Sequence, residues 1–592
     1  MKATKTKSST WNLGLLYTSS IDPQIEKDMI ELEDLAKTFA NTYDVDEKKY
    51  LEDDNALLSA LLDFEKIMEK ADAKPFLYFY FLRDIDSKNE LASAQIAMFQ
   101  SRLAVCENKI AFFKISLGTI PGKKQRQFLS SSTLINYRVF LERVFDDAQY
   151  MLSLPEEKIM NLKSQVSYDM WIGGNEKILN QQSVLWKNKR IALSQAMSLA
   201  TQMPKREDRI AMSKAVATVL KSIAPFSEAE INAIVTNKKI DDELRGFAQP
   251  FDSTVQKYRN DPNVVRQLTD TVTKRFDISH RFYELKSRLM KQKVLAYSDR
   301  VAKIGTIKTK FNFENSVSIL KDTFGKLNVK FADYLDSYVS SGQIDIYPRI
   351  GKKSGAYCAG TYSNPTFVLL NHIDDLHSFT TLAHEMGHAF HGELSRVQGP
   401  LYSDYSTSLA ETASTLFESI AREDAYKQLN DKERLIALHD KINDDICTIF
   451  RQIACFNFEE EIHKDIRSNG FISEKALAEL HNKHMSAYLG PRFKMTIDDG
   501  YFFVSWSHIR RFFYVYSYAY GMLVSKALLR RYKNDPSFWS KIEIFLSSGG
   551  KASPEQILNE IGIDVSKSGF FEEGLSEIED DIKELEKLSS KI

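Results

Sequence analysis

Cysteine is scarce in this chain. Cys106, Cys358, Cys447 and Cys455 are the only four among 592 residues, and no two form a CxxC pair. That excludes a dense disulfide framework and fits a reducing compartment. Long apolar runs are also missing, so no stretch approaches a membrane span. The polar, basic Met1–Ser9 segment leads into a Trp11–Tyr17 run too short and broken for a signal sequence. Nor does charge of one sign dominate. With 79 basic against 80 acidic residues, there is no global electrostatic case for a nucleic-acid or membrane partner. Clusters such as Lys123-Lys124-Gln125-Arg126 read as solvated surface. No repeat or low-complexity tract stands out. What is left, at 43% apolar and 27% charged residues, is an ordinary soluble globular protein, expected in the cytoplasm.

Helical periodicity dominates the chain. Asp22-Pro23 precedes a stripe of Ile25, Met29, Leu32, Ala36 and Phe39, and similar patterns recur to about residue 200. Pro121-Gly122, Gly173-Gly174, Pro204 and Gly549-Gly550 are expected to mark turns. Leu575, Ile578, Ile582, Leu585 and Leu588 predict a closing amphipathic helix docked on the body. The stretch from Gly355 to Asn371, β-favouring at Phe367–Leu370, predicts strand structure whose exposed edge would grip an extended peptide through its backbone.

Histidine is scarce too, yet five of the eleven (His372, His377, His384, His388 and His391) fall in one short segment. Within it, His384-Glu385-Met386-Gly387-His388 is an HExxH motif, which a random chain of this composition would contain on the order of 0.01 times. Histidines four apart lie one helical turn apart and can grip one ion from the same face. Glu385, turned about 100° away, reaches the water on that ion rather than the ion. Asp374 and Asp375 supply caps for the helix start. This pattern points to a hydrolytic zinc site.

A catalytic zinc needs a third protein ligand and an open fourth position. His391 lies one further turn along the helix, too far to share the ion. A metzincin pattern would need Gly at His391 and His at Leu394, so that reading fails. A second amphipathic helix around Ser408–Glu418 offers Glu411 and, two turns on, Glu418. Spacing favours Glu411 and leaves Glu418 as an alternative, or as a partner of a ligating histidine.

One further block is dense in aromatics: Trp506-Ser507-His508-Ile509-Arg510-Arg511-Phe512-Phe513-Tyr514-Val515-Tyr516-Ser517-Tyr518-Ala519-Tyr520-Gly521. Many of these rings are expected to be core. Tyr514 and Tyr518 form one stripe, Tyr516 and Tyr520 another. His481 and His484 have no carboxylate motif beside them and read as surface histidines.

Gly355-Ala356-Tyr357-Cys358, Asn364-Pro365, Phe367–Asn371, Leu382–His391 and Ala410–Thr415, in that order, resemble the catalytic core of the thimet oligopeptidase family, in its oligoendopeptidase F branch. The likeness extends over most of the chain and is weakest before about residue 110. It implies a mainly α, multi-helical, two-part body enclosing a deep channel, with a small β-sheet beside the HExxH helix, zincin-like and of gluzincin type. Residues 1–200 would be an N-terminal helical domain, including an oligoendopeptidase F-like region at about 110–185, and residues 201–592 the catalytic domain. The resemblance implies Glu411 as third ligand to one Zn2+, with His508, Tyr514 and Tyr518 donating hydrogen bonds to substrate and oxyanion. It also implies internal cleavage of short unstructured peptides. Two alternatives remain. One is a carboxypeptidase or dipeptidyl carboxypeptidase, with Arg510, Arg511 or Arg349 holding the terminal carboxylate. The other is a non-catalytic peptide-binding protein, for which the water-activating Glu385 would be needless.

Overall fold

A computed structural model describes residues 9–591 apart from residues 72 and 568, so most of the basic N-terminal segment lies outside the described residues. Helices make up nearly all regular structure, with one two-stranded and one three-stranded sheet among the described residues. The mainly helical expectation holds. Two compact units emerge, and each draws on three chain segments. The first comprises Met1–Met151, Thr309–Lys427 and Asp535–Ile561; the second comprises Leu152–Lys308, Gln428–Asn534 and Gly562–Ile592. Each unit draws on residues from both sides of position 200.

The Pro23–Tyr43 helix opens the first unit. Asp22 accepts the Gln24 N–H at 2.9 Å, and Pro23 occupies the first turn, where no N–H is required. The predicted stripe from Ile25 to Phe39 is buried. Phe39, Phe64 and Phe113 pack with ring centroids 5.2 to 5.9 Å apart, which knits the N-terminal helices into one apolar core.

The three-stranded sheet of this unit has Phe367–Leu369 at its centre. That strand runs parallel to Ile344–Asp345 and antiparallel to Tyr357–Ala359. Its three side chains are fully buried. The Trp11 indole donates to the Val368 carbonyl at 2.8 Å and ties the N-terminal segment to the sheet. The edge on offer is therefore Tyr357–Ala359, not the apolar Phe367–Leu370 run, because apolar residues seek the covered strand. The next helix, Leu376–Ser395, starts at Asp375, which accepts the Ser378 N–H at 2.8 Å.

In the second unit the Arg206–Arg245 helix spans 40 residues. Gly173-Gly174 does not mark a turn; it lies inside the Met170–Asn180 helix. A Cβ on Gly174 would stand 3.2 Å from the Phe226 ring, so this glycine serves close packing. The closing helix, Phe570–Ser589, buries Leu575, Ile578, Ile582, Leu585 and Leu588, as predicted. It meets the Tyr516–Asn534 helix at Gly574, where a Cβ would clash with the Leu523 carbonyl at 2.6 Å. His481 and His484 are not surface residues. His481 shares the buried face of its helix with Leu477, four residues earlier, and packs between Phe458 and Trp506. His484 pairs with Glu461 at 2.7 Å.

Candidate metal centre

The Leu376–Ser395 and Thr407–Tyr426 helices pack against each other, and both carry donor side chains. Phe390 and Phe417, centroids 5.0 Å apart, hold the pair, and Phe324 and Phe331 close on both rings. Gly387, inside the HExxH motif, permits the contact. A Cβ there would stand 2.7 Å from Ser414 Cα and 3.0 Å from the Ala413 carbonyl, so only glycine admits the neighbouring backbone. Sequence reasoning missed this role, although a glycine among helical apolar positions is a signal of close approach.

Those helices bring His384, His388 and Glu411 together. One ligand-type atom from each lies within 4.8 Å of the other two. The two imidazoles are 5.0 Å apart between centroids, and His384 Nε2 lies 3.6 Å from Glu411 Oε2. The opposite nitrogen of His384, Nδ1, is 3.0 Å from Glu418 Oε2. Glu418 in turn pairs with Arg422, one turn further along the same helix. Burial alone would push the His384 imidazole down, but Glu418, then Glu385 and Glu411, raise it to about 9. Desolvation would raise the Glu418 carboxyl, yet Arg422 and His384 hold it well below its usual range. Burial, with the His384 charge, pushes His388 down to about 3 and leaves it a neutral donor.

Glu385 faces the same cavity, which has a volume of about 520 Å³ and is walled by the Tyr357–Ala359 edge, Tyr405 and Glu411. Its side chain is 6% exposed and its Oε2 atom has no hydrogen-bond partner. Burial raises this carboxyl to about 7; among the smaller influences, His384 and the Cys358 N–H lower it, while Glu411 and Glu418 raise it. His391 stacks on Tyr405 at 3.6 Å and 8° and takes no part in the cluster. Tyr405 itself escaped the sequence reading, because the loop before the second helix offers no periodicity to place it.

The other expected residues belong to the second unit. His508 Nδ1 lies 2.5 Å from the Tyr514 hydroxyl, and Tyr518 stands beside both, 6.2 Å from His508 and 5.7 Å from Tyr514 between centroids. Burial, then the charges of Arg451 and Arg511, push His508 down to about 4, so its imidazole is neutral. Tyr514 does not sit on the helix with Tyr518. It precedes the Tyr516 start, after Phe512 and Phe513, which both take positive φ (48° and 62°). Tyr516 and Tyr520, the second stripe, are core. Two of the cations considered as carboxylate anchors are already paired, Arg510 with Glu230 at 2.7 Å and Arg349 with Asp345 at 2.6 Å.

A helical frame with HExxH on one helix and a carboxylate returned by the next defines the metallopeptidase class. Residues 199–577, well over half of the chain, match the model described as peptidase family M3, and the chain belongs to that family. Residues 117–172 match the model described as oligopeptidase F. An oligoendopeptidase F homolog of Lactococcus lactis subsp. lactis is 24% identical over 99% of this chain and 98% of its own length. A solved structure from Chlamydophila abortus, named as a peptidase, shares the fold with a TM-score of 0.84 at 22% identity, covering 98% of both chains. Oligoendopeptidase-F from Enterococcus faecium does so with a TM-score of 0.71 at 17% identity, covering 96% of this chain and 99% of its own. The protein is thus a peptide-bond hydrolase. No helix among the described residues is long and apolar enough to cross a membrane.

Proposed function

We propose that this protein is a zinc-dependent oligoendopeptidase that cleaves internal bonds of short unstructured peptides in the cytoplasm. The convergence of His384, His388 and Glu411 within 4.8 Å carries the reading. The donor set fits zinc on three counts. Two imidazoles and a carboxylate are ligands this ion takes, His388 is held neutral, and Glu418 fixes His384 so that Nε2 faces the cluster. When bound there, zinc supplies Lewis acidity, polarising a carbonyl and making a water acidic enough to attack near neutral pH.

Glu385 acts as general base. Its unpartnered oxygen accepts the proton of the attacking water and returns it to the leaving amine, and burial, which raises this carboxyl, favours its holding the proton in between. The Tyr357–Ala359 edge holds an extended substrate by backbone hydrogen bonds, which gives grip with little side-chain selectivity. Tyr514 or His508 donates to the oxyanion, because a neutral imidazole sharing a hydrogen bond with that hydroxyl leaves one proton free between them, and Tyr518 supports the pair. Within this reading residues 1–200 serve as the N-terminal helical part and residues 201–592 as the catalytic part, and the substrates are short unfolded peptides. Four unpaired cysteines support the cytoplasmic location.

Internal cleavage is favoured over removal of C-terminal residues, because two of the three arginines considered, Arg510 and Arg349, are committed to Glu230 and Asp345, which leaves only Arg511. Mass spectrometry of products from peptides blocked at both ends, with bound metal quantified before and after chelation, tests the whole reading. Internal products that vanish with the metal are expected. Cleavage confined to peptides with a free C-terminus would reject it.

A further inference from the structure

A second cavity, of about 120 Å³, lies wholly within the second unit. Its wall includes Tyr297, Ser298 and Arg300, together with Arg451 from the Phe450–Asn469 helix, His481 from the Glu474–Leu489 helix, and Trp506. Two guanidiniums meet here without an acid. Among the described residues, neither Arg300 nor Arg451 has a carboxylate oxygen within 4.0 Å. Arg300 stacks on the Tyr297 ring at 4.0 Å and donates to the Tyr297 carbonyl at 3.0 Å; Arg451 lies over the Trp506 ring at 4.7 Å. Asp499 is within electrostatic reach of Arg300, but its carboxylate accepts from the Thr496 N–H and hydroxyl at 2.7 and 2.8 Å.

Elsewhere in this unit buried arginines are answered, whereas Lys286, buried without a carboxylate, is pushed down to about 7 by burial. Arg510 has Glu230 at 2.7 Å, Arg209 has Asp299 at 3.0 Å, and Lys526 has Asp445 at 2.8 Å. A lysine can shed its charge when buried, but a guanidinium cannot, so two half-buried guanidiniums facing one cavity without a carboxylate favour a counter-charge from outside the chain. The remaining polar lining supplies donors. Nε of Arg300 and of Arg451, the Trp506 indole N–H and the Ser298 hydroxyl all lack partners, and Ser298 and Trp506 are only 2% and 7% exposed. His481, 1% exposed, is pushed down to about 3 by burial and by these two cations, which marks the local potential as positive.

We propose that this cavity binds a small inorganic anion, a halide or a tetrahedral oxyanion, through Arg451, Arg300, the Ser298 hydroxyl and the Trp506 indole. Its occupancy reaches His508 by two short routes. Trp506 is two residues before His508, and Gln452, next to Arg451, places its amide 3.5 Å from His508 Nε2. The anion thus acts as a positioning group for that imidazole.

The test uses the full-length protein with chloride and phosphate titrated separately, ionic strength being held with 4-toluenesulfonate, which is too bulky for the cavity. Tryptophan fluorescence and melting temperature are followed together. At least one of the two anions is expected to give a saturable fluorescence change and a rise of roughly 1–3 °C at tenfold excess over half-saturation. Arg451→Gln should weaken half-saturation about tenfold or more, Trp506→Phe should remove the fluorescence change, and Arg288→Gln, at an exposed arginine of the same unit, should alter neither. Crystals soaked in bromide and in selenate report on the wild-type chain alone, whatever the variants do. An anomalous peak between Arg300 and Arg451 supports the site. Melting temperatures that drift without saturation in both salts, or no peak in the cavity from either ion, overturn it.

Discussion

His384 Nδ1 stands 3.0 Å from Glu418 Oε2, and that contact decides which nitrogen of the imidazole is left for a ligand. With Nδ1 donating to the carboxylate, Nε2 is the nitrogen that faces Glu411, and its proton, held in the metal-free protein by the surrounding carboxylates, is the one that zinc would displace. Glu418→Gln keeps the shape and removes the charge. Zinc affinity is expected to fall about 10-fold to 100-fold, with far less effect on melting temperature once zinc is saturating. Competition with a chelator of known affinity measures the change, and an unaltered affinity would mean that Glu418 serves only Arg422.

Glu385→Gln separates binding from chemistry. Glu385 is not one of the three donors that form the cluster, so the variant should hold one zinc per chain while turnover drops by at least about 10²-fold, the low end for losing a general base. Metal analysis beside a peptide assay checks both halves. Full activity in this variant would dismiss Glu385 as base.

Gly387→Ala sets two effects against each other. In an open helix the change would stabilise by about 1 kcal/mol. Here the new Cβ would meet the Ser414 backbone at 2.7 Å, and a backbone cannot swing aside as a side chain does. The clash wins, with a loss of about 1–3 kcal/mol and a displaced Glu411, because that residue rides on the helix being pushed away. Urea melts with and without zinc should show the larger loss in the zinc-bound protein. Equal or greater stability would contradict the close approach.

How much of this was legible in the sequence depends on whether a feature is local to one element. The cap at Asp22, the stripe from Ile25 to Phe39 and the one-turn spacing of His384 and His388 follow from the geometry of a single helix. The mainly helical fold followed from many such helices. Pairings across elements were not legible. Periodicity could not tell that Arg510 finds Glu230, 280 residues away, or that Phe367–Leu369 lies at the centre of its sheet with Tyr357–Ala359 on the edge. It also misplaced His481, since a polar residue on the buried face of a helix looks the same in sequence as one on the outer face. Tyr514 lies just before its helix, which starts at Tyr516, because the paired positive φ values at Phe512 and Phe513 break the register.

Tyr514→Phe removes one hydroxyl from the contact with His508. If that hydroxyl serves the oxyanion, kcat falls about 10²-fold or more while KM changes little. Steady-state kinetics on a quenched fluorescent peptide gives both constants. A rise in KM with kcat intact would assign Tyr514 to ground-state binding instead.

Lys286 gives a stability signature in the second unit, which holds none of the three metal donors. It is fully buried, with Nζ 2.8 Å from the Asn443 Oδ1 atom and from the Arg300 carbonyl, and burial pushes it down to about 7. In the unfolded chain it returns to about 10.5. Above that pH the group is neutral in both states and costs nothing. As pH falls from 10.5 to about 7 the unfolded chain takes up the proton first, so stability is lost across that window, and below it the penalty is constant. Lys286→Met removes this dependence while losing two hydrogen bonds. The difference in unfolding free energy, wild type minus variant, should therefore grow with pH between 7 and 10.5, on the order of 1 kcal/mol per pH unit. Urea melts of both proteins at pH 7 and pH 10 measure it, with all other titrations cancelling in the difference. Parallel stability profiles would mean that Lys286 keeps its proton when folded.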